Sequence, residues 1–323
     1  MRRDPTLLAI VGPTASGKSY LAVHLARHFG GEVINCDSLQ LYRHFDIGTG
    51  KLTSREQHGI PHHLINVLDP ADQFAAGEYA RLAKRAISMI EARGKLPIIV
   101  GGTGFYLRAL IDGLFRGPAR IPELRERLRL RAGQKGRSYL HRILQRVDPQ
   151  AAVKIHPNDL PKTIRALEVF LETRRPISSL FLEGRQALEG YEVLKLGLFP
   201  SRDALYERIN QRTRSMFENG LIEEVRNILA QGISDAVPPF RSLGYNEALQ
   251  YLEGKIDLEE SIRLTQNRTR QYAKRQMTWF RRESGIHWIA GFGNDLEVQR
   301  KSSSLVSAHL AGVANPGHSL RQE

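Results

Sequence analysis

Cysteine is nearly absent from this sequence: Cys36 is the only one in 323 residues. A single thiol excludes an internal disulfide and any cysteine-built zinc site, and it fits a reducing compartment. Long apolar runs are missing as well. No segment approaches the ~20 consecutive apolar residues that a membrane-spanning helix needs. The short run "TLLAIV" behind the N-terminal arginines leads straight into a glycine-rich loop, so it is expected to be a strand and not a signal peptide. These absences together predict a cytoplasmic protein with no membrane attachment. Histidine is present, but His62 and His63 are adjacent and no Cys/His cluster accompanies them. A metal centre built from protein ligands alone is therefore not expected.

Acidic residues are the next shortage: 34 Asp and Glu stand against 47 Lys and Arg, a formal net charge of +13. The excess is local. Arg116 to Arg146 holds ten basic residues and two acids, and Ser261 to Arg282 holds seven basic residues and no acid. Those two stretches carry more than the whole excess, which is how a polyanion-binding surface looks. On the second stretch Arg263, Arg270, Lys274 and Arg281 share one helix face.

What is present begins with "GPTASGKS". Gly12, Pro13, Thr14, Ala15, Ser16, Gly17, Lys18 and Ser19 match the phosphate-loop pattern G-x-x-x-x-G-K-[ST]. Its context fits. Thr6 to Val11 has a strand's length and composition, and Leu21, Ala22, Leu25, Ala26 and Phe29 recur at helical spacing. In such a loop the backbone N–H groups and the helix N-terminus hold an anion, Lys18 adds a point charge, and the Ser19 hydroxyl is a ligand for Mg2+.

The first ~115 residues alternate strand and helix, with strands expected at 31–37 and 95–102 and helices at 74–94 and 103–113. That alternation predicts a parallel α/β sheet of the phosphate-loop NTPase type with right-handed crossovers. After Gly117-Pro118 the pattern turns helical, and "YEVLKLGLF" (191–199) returns as a strand. The expected organisation is a core of residues 1–117 and 191–312, interrupted by a helical insertion at 118–190. A last edge strand is expected at 285–291, and a frayed tail at 313–323.

Ligands in open α/β sheets sit beyond the carboxyl ends of the strands. Strand one ends in the phosphate loop, strand two at Asp37, beside that loop, and strand three at Gly101-Gly102-Thr103-Gly104. A phosphate-loop ATPase places an acid at the end of a later strand to hold Mg2+ and order water. Here glycine and threonine stand there, and Asp37 is the only acid that closes an apolar strand. Its chemistry is that of a general base or of a Mg2+ holder. Arg208 and Arg212 are four residues apart, share a helix face, and suit a diphosphate.

The segments "GPTASGKS", "DSLQLY", "DIGTGK", "PHHLIN", "GGTGFYLRAL", "HPNDLPKTIRALEVF", "RSLGYNEALQYLEG" and "TRQYAKRQMTWFRR" resemble, in this order, those of the bacterial tRNA dimethylallyltransferase family. The resemblance runs from about residue 6 to 291. It implies transfer of a dimethylallyl group from dimethylallyl diphosphate to N6 of the adenosine that follows the anticodon of tRNA. It implies that the loop cradles that diphosphate with Mg2+, that Lys18 and Arg212 are its cations, and that Asp37 is the base with Thr103 touching the same adenine. Ser38, Leu39 and Gln40 would line the nucleotide pocket. Pro161, Lys162, Thr163, Ile164 and Arg165 would meet tRNA, as would Arg241, Ser242, Leu243, Gly244, Tyr245 and Asn246. So would Lys274, Arg275, Gln276, Met277, Thr278, Trp279, Phe280 and Arg281. The partners implied are the tRNA anticodon stem-loop and the donor, with no stable protein partner and a monomeric chain. Gly50 and Leu52 depart from the family's more usual Ala and Pro, in a loop expected to lie outside the chemistry.

Three other readings use the same residues. A small-molecule kinase would consume ATP, against the missing strand-end acid. A prenyltransferase acting on free AMP would have no use for the basic helices. A nucleic-acid-binding module with a degenerate loop would bind tRNA without turnover.

Overall fold

The computed structural model describes residues 4–115, 117–118 and 120–312; the tail expected at 313–323 lies outside them. The chain forms two compact units, Met1–Leu110 with Glu189–Glu323, and Ile111–Leu188.

The first unit is built on six strands: β1 (Thr6–Val11), β2 (Gly31–Asn35), β3 (His62–His63), β4 (Leu96–Val100), β5 (Glu192–Leu198) and β6 (Ile286–Ile289). They form one sheet in the order β3-β2-β4-β1-β5-β6, and every pairing is parallel. β1 is apolar from Leu7 to Val11 because both its faces are covered: Leu7, Leu8, Ala9 and Ile10 are fully buried. The helices of this unit are α1 (Lys18–Phe29), α2 (Ala76–Ala92) and α3 (Gly104–Ile111) before the second unit. That unit holds α4 (Pro122–Lys135), α5 (Arg137–Val147), α6 (Pro149–Lys154), α7 (Leu160–Thr173) and α8 (Ile177–Leu182). After it come α9 (Arg202–Glu218), α10 (Leu221–Ala230), α11 (Tyr245–Leu252), α12 (Leu258–Phe280) and α13 (Leu296–Leu310). α1 ends where Gly30 takes a left-handed conformation and its N–H returns to the Ala26 carbonyl, a conformation glycine adopts without a Cβ penalty.

Two findings differ from the sequence reading. The two-residue strand β3 was not expected; it pairs with β2 at the sheet edge, where His63 meets Glu32 at 2.7 Å. And β4 lies between β1 and β2, so the end of β2 adjoins the phosphate loop only across the end of β4.

The second unit starts at Ile111, not at 118. Its two ends run antiparallel: Leu188 N donates to Ile111 O at 3.0 Å and Gln186 N to Leu114 O at 3.3 Å, with Phe115 bridged to Arg185. Inside it Leu128, Leu140, Leu144, Ile164, Leu167 and Val169 form a separate core. At its centre Glu168, fully buried, takes Arg125 at 3.1 Å and Arg165 at 2.7 Å, so two of its arginines are spent internally.

Candidate active site

The carboxyl ends of β2, β4 and β1 assemble one site. Asp37 is placed by backbone and by Asn35. The Asn35 amide donates to Asp37 O at 3.0 Å and accepts from Asp37 N at 2.9 Å, while an Asp37 carboxylate oxygen accepts from Leu39 N at 2.9 Å. The end of β4 runs alongside, in the same sheet. Cys36 N donates to Val100 O at 2.7 Å and Thr103 N to Cys36 O at 3.2 Å. A Cβ on Gly101 would stand 2.0 Å from Cys36 O, so only glycine lets the two strand ends approach this closely. The Thr103 hydroxyl accepts from Ser38 N at 3.2 Å. Asp37, Ser38 and Thr103 are thus brought together as expected.

The phosphate loop wraps the start of α1. Gly12 and Gly17 both have positive φ, 142° and 83°. Lys18 reaches back to Pro13 O at 2.6 Å. Burial pulls the Lys18 ammonium down to about 8; Asp37 opposes that shift and Arg212 adds to it. Arg212, from α9, is half-buried and approaches Thr14, with Nη1 3.3 Å from Oγ1. Burial lowers its pKa too, again against Asp37. Arg208, one turn earlier, is turned aside: it bonds Asn294 at 2.7 Å and lies over the Phe292 ring. The turn that carries Asn294 braces the loop from outside, with Gly293 N donating to Ser16 O at 2.9 Å.

Two clefts meet here. One, of about 540 Å³, is lined by the phosphate loop, Lys18, Ser19, Asp37, Gln40, residues 49–53, Gly101, Gly102, Arg208 and Arg212. The other, of about 400 Å³, is lined by Asp37, Ser38, Leu39, Arg241, Ser242, Leu243, Gly244, Thr269, Tyr272 and Arg275. Thr14, Ala15, Asp37, Thr49, Arg212 and Met216 belong to both. A carboxylate and a guanidinium therefore stand at the junction of the phosphate-loop cleft and a second, smaller and more apolar cleft.

The loop expected to lie outside the chemistry is a wall of the first cleft. Gly50 leaves the room that Arg212 fills: an added Cβ would be 1.8 Å from Arg212 Nη2. Gln40 faces this loop, donating to Thr49 O at 3.2 Å. Behind it, Glu224 accepts from Ile47 N at 2.8 Å and from the Tyr245 hydroxyl, and Gly48 N donates to that hydroxyl at 3.1 Å. Tyr245 was expected to face tRNA; it is fully buried and holds this loop.

Other expected tRNA contacts are also turned inward. Thr163 and Ile164 sit in the helical core, and Arg165 is paired with Glu168. Gly244 is buried, its N–H capped by the Glu247 carboxylate. Phe280 and Gln276 are buried. Trp279 packs on Gly104 and under the Arg108 guanidinium, 4.5 Å from its ring centre. Pro161, Lys162, Arg241, Lys274, Arg275, Thr278 and Arg281 are exposed. On α12, Arg263 pairs with Glu260, Arg268 with the buried Glu247, and Arg270 with Asn210 and Asn267. Among the described residues of 261–282, the exposed cations with no acidic partner are Lys274, Arg275, Arg281 and Arg282, so the one-face pattern read from the sequence overcounts the cations available to a ligand. The sequence reading missed Tyr272. Its hydroxyl lies against the Thr103 and Gln276 side chains, and burial, then Asp37, push its pKa up.

Among the described residues no three His, Cys, Asp or Glu side chains gather to hold a metal. Ser19 and Asp37 line the same cleft, a donor set that suits Mg2+ when diphosphate oxygens and water complete its shell.

A family model described as IPP transferase matches residues 40–283. A tRNA dimethylallyltransferase of Solibacter usitatus is 56% identical over 94% of this chain and 99% of its own length. One of Koribacter versatilis is 51% identical over 94% and 98%. Among solved structures, a tRNA isopentenylpyrophosphate transferase of Bacillus halodurans superposes with a TM-score of 0.69 at 39% identity, covering 95% of this chain and 96% of that one. A eukaryotic dimethylallyltransferase acting on tRNA superposes with a TM-score of 0.83 at 28% identity, covering 97% of this chain and 81% of that one.

Proposed function

The chain belongs to the IPP transferase family, the tRNA dimethylallyltransferases, and from that premise we propose the following division of labour for its site. Dimethylallyl diphosphate occupies the phosphate-loop cleft, and the adenosine that follows the anticodon of tRNA enters the second cleft. The observation that carries this reading is the placement of Asp37 and Arg212 where the two clefts join.

The chemistry follows. The N6 lone pair of adenine is delocalised into the ring, so the nitrogen is a poor nucleophile until a base takes its proton. Asp37 accepts that proton as the N6–C1 bond forms and the C1–O bond to the diphosphate breaks. The leaving diphosphate gathers negative charge, which the loop N–H groups, Lys18 and Arg212 meet in a preorganised, buried setting. Mg2+, held by Ser19 and the diphosphate, would supply further neutralisation of that charge. The Thr103 hydroxyl, beside Asp37, positions the adenine edge. The target base lies in a single-stranded loop and must leave its stack to reach Asp37. Lys274, Arg275, Arg281 and Arg282, with the exposed arginines of α4, grip RNA phosphates. The enzyme acts as a monomer and, working on tRNA, resides in the cytoplasm. No helix among the described residues is long and apolar enough to cross a membrane.

The direct test is incubation with dimethylallyl diphosphate, Mg2+ and unmodified tRNA, followed by mass analysis of the nucleosides. A dimethylallyl adduct on adenosine is expected; its absence under saturating donor would remove the reading.

Two further results are expected. kcat/KM for the donor should fall as pH rises through about 8, because the free enzyme's Lys18 carries the charge that meets the diphosphate only below its depressed pKa. Lys18→Arg should erase that alkaline limb. A profile flat to pH 9.5 in the parent enzyme contradicts the assignment. tRNA affinity should fall linearly on a log–log salt plot, with roughly −0.7 to −0.9 per phosphate contact. Replacing Lys274, Arg275 and Arg281 together should flatten that slope by about two to three. An unchanged slope would place the RNA elsewhere.

A further inference from the structure

α12 faces two ways. Lys274, Arg275 and Thr278 are exposed on one side, while Gln276, between them in sequence, is only 5% exposed and points into the site. Its amide spans the two strand ends that frame the reaction. Oε1 accepts from Thr14 N in the phosphate loop at 2.7 Å, and Nε2 donates to Gly102 O at the end of β4 at 2.9 Å. The fit is close: a Cβ on Gly102 would stand 2.0 Å from Nε2. One turn earlier Tyr272 lies against Thr103 and Gln276 and beside Asp37. A primary amide is the group this position requires, since it must accept at one end and donate at the other.

We propose that Gln276 is a positioning residue that couples the two substrate sites. RNA held on the outer face of α12 fixes the helix, Gln276 transmits that placement to Thr14 and Gly102, and the phosphate loop is thereby set for the diphosphate. The proposal rests on the functional reading above. It needs no large motion: helix shifts of ~1–2 Å are enough to break a 2.7 Å bond. Linkage then requires the effect to run both ways, the diphosphate tightening RNA by the same factor that RNA tightens the diphosphate.

The test uses dimethylallyl S-thiolodiphosphate, an unreactive donor analogue, and an unmodified anticodon stem-loop RNA. Analogue affinity is measured with and without RNA, and RNA affinity with and without analogue. In the parent protein each ligand should tighten the other by the same factor, roughly 5–150-fold. Gln276→Leu should bring that factor close to one while RNA affinity measured alone stays unchanged. Gln276→Glu keeps an acceptor for Thr14 N but loses the donor to Gly102 O, so it should retain part of the factor; it carries the test if the leucine variant does not fold. A purely packing role would lower stability and both affinities together and leave the factor intact. An equal factor in parent and variants, or none in the parent, overturns the proposal. Failure of the parent to prenylate tRNA would instead overturn the functional reading.

Discussion

Asp37→Asn should slow single-turnover dimethylallyl transfer by roughly 10²–10⁴ while both substrates still bind. The substitution keeps the size and leaves the side chain able to accept from Leu39 N, as Asp37 does at 2.9 Å. It removes the capacity to take a proton, together with the negative charge that supports the charged forms of Lys18 and Arg212. The backbone clamp by Asn35 and the strap from Cys36 to Thr103 do not involve the Asp37 carboxylate, so the site should keep its shape. If Asp37 instead serves chiefly as a Mg2+ ligand, donor affinity drops and excess Mg2+ restores much of the rate. A Mg2+ series of single-turnover measurements separates the two roles, and near-parental transfer by the variant would sink the base assignment.

Arg212→Met should cost roughly 10²–10³ in transfer at saturating donor, with tRNA affinity unchanged. The guanidinium packs against Thr14 and occupies the space Gly50 leaves open, so it is fixed in place before the leaving group acquires its charge. Preorganised charge of this kind acts mainly on the transition state, and the loss should therefore appear in kcat. A rise in donor KM with kcat preserved would reduce Arg212 to a binding group.

The residues whose placement was legible in the sequence are those a strand end fixes. Gly12 to Ser19, Asp37 and Thr103 each follow an apolar strand directly, and a parallel sheet delivers such positions to one edge whatever the order of its strands. That order was not legible: nothing local in "LPIIV" says that it lies between the other two. Nor was β3, since two residues show no periodicity. The largest misreading concerned contiguous runs. A helix turns about 100° per residue, so "KRQMTWFR" cannot present one function on every side chain. Lys274 and Arg275 face out, while Gln276 and Phe280 face in. Likewise "RSLGY" lines the second cleft with its first residues and spends Tyr245 on the back of the loop that includes Gly50. Burial of polar groups is the signal that would have separated them, and burial is a tertiary property.

The register of β1 has a consequence for how the chain comes to be folded. β1 is central, yet its partner on one side is β5, Thr6 lying opposite Glu192, and β6 follows only at Ile286. The turn that braces the phosphate loop through Gly293 comes later still. During synthesis the second unit, whose contacts are local and helical, is complete before β1 has that partner. Non-local parallel pairings of this kind form slowly, and domains tend to fold as units in the order they are made. The helical unit is thus made before β1 gains β5, and β5 in turn keeps an open edge until β6 is made. The phosphate loop, although made before β5, β6 and the turn at Gly293, is among the last segments to reach its working shape.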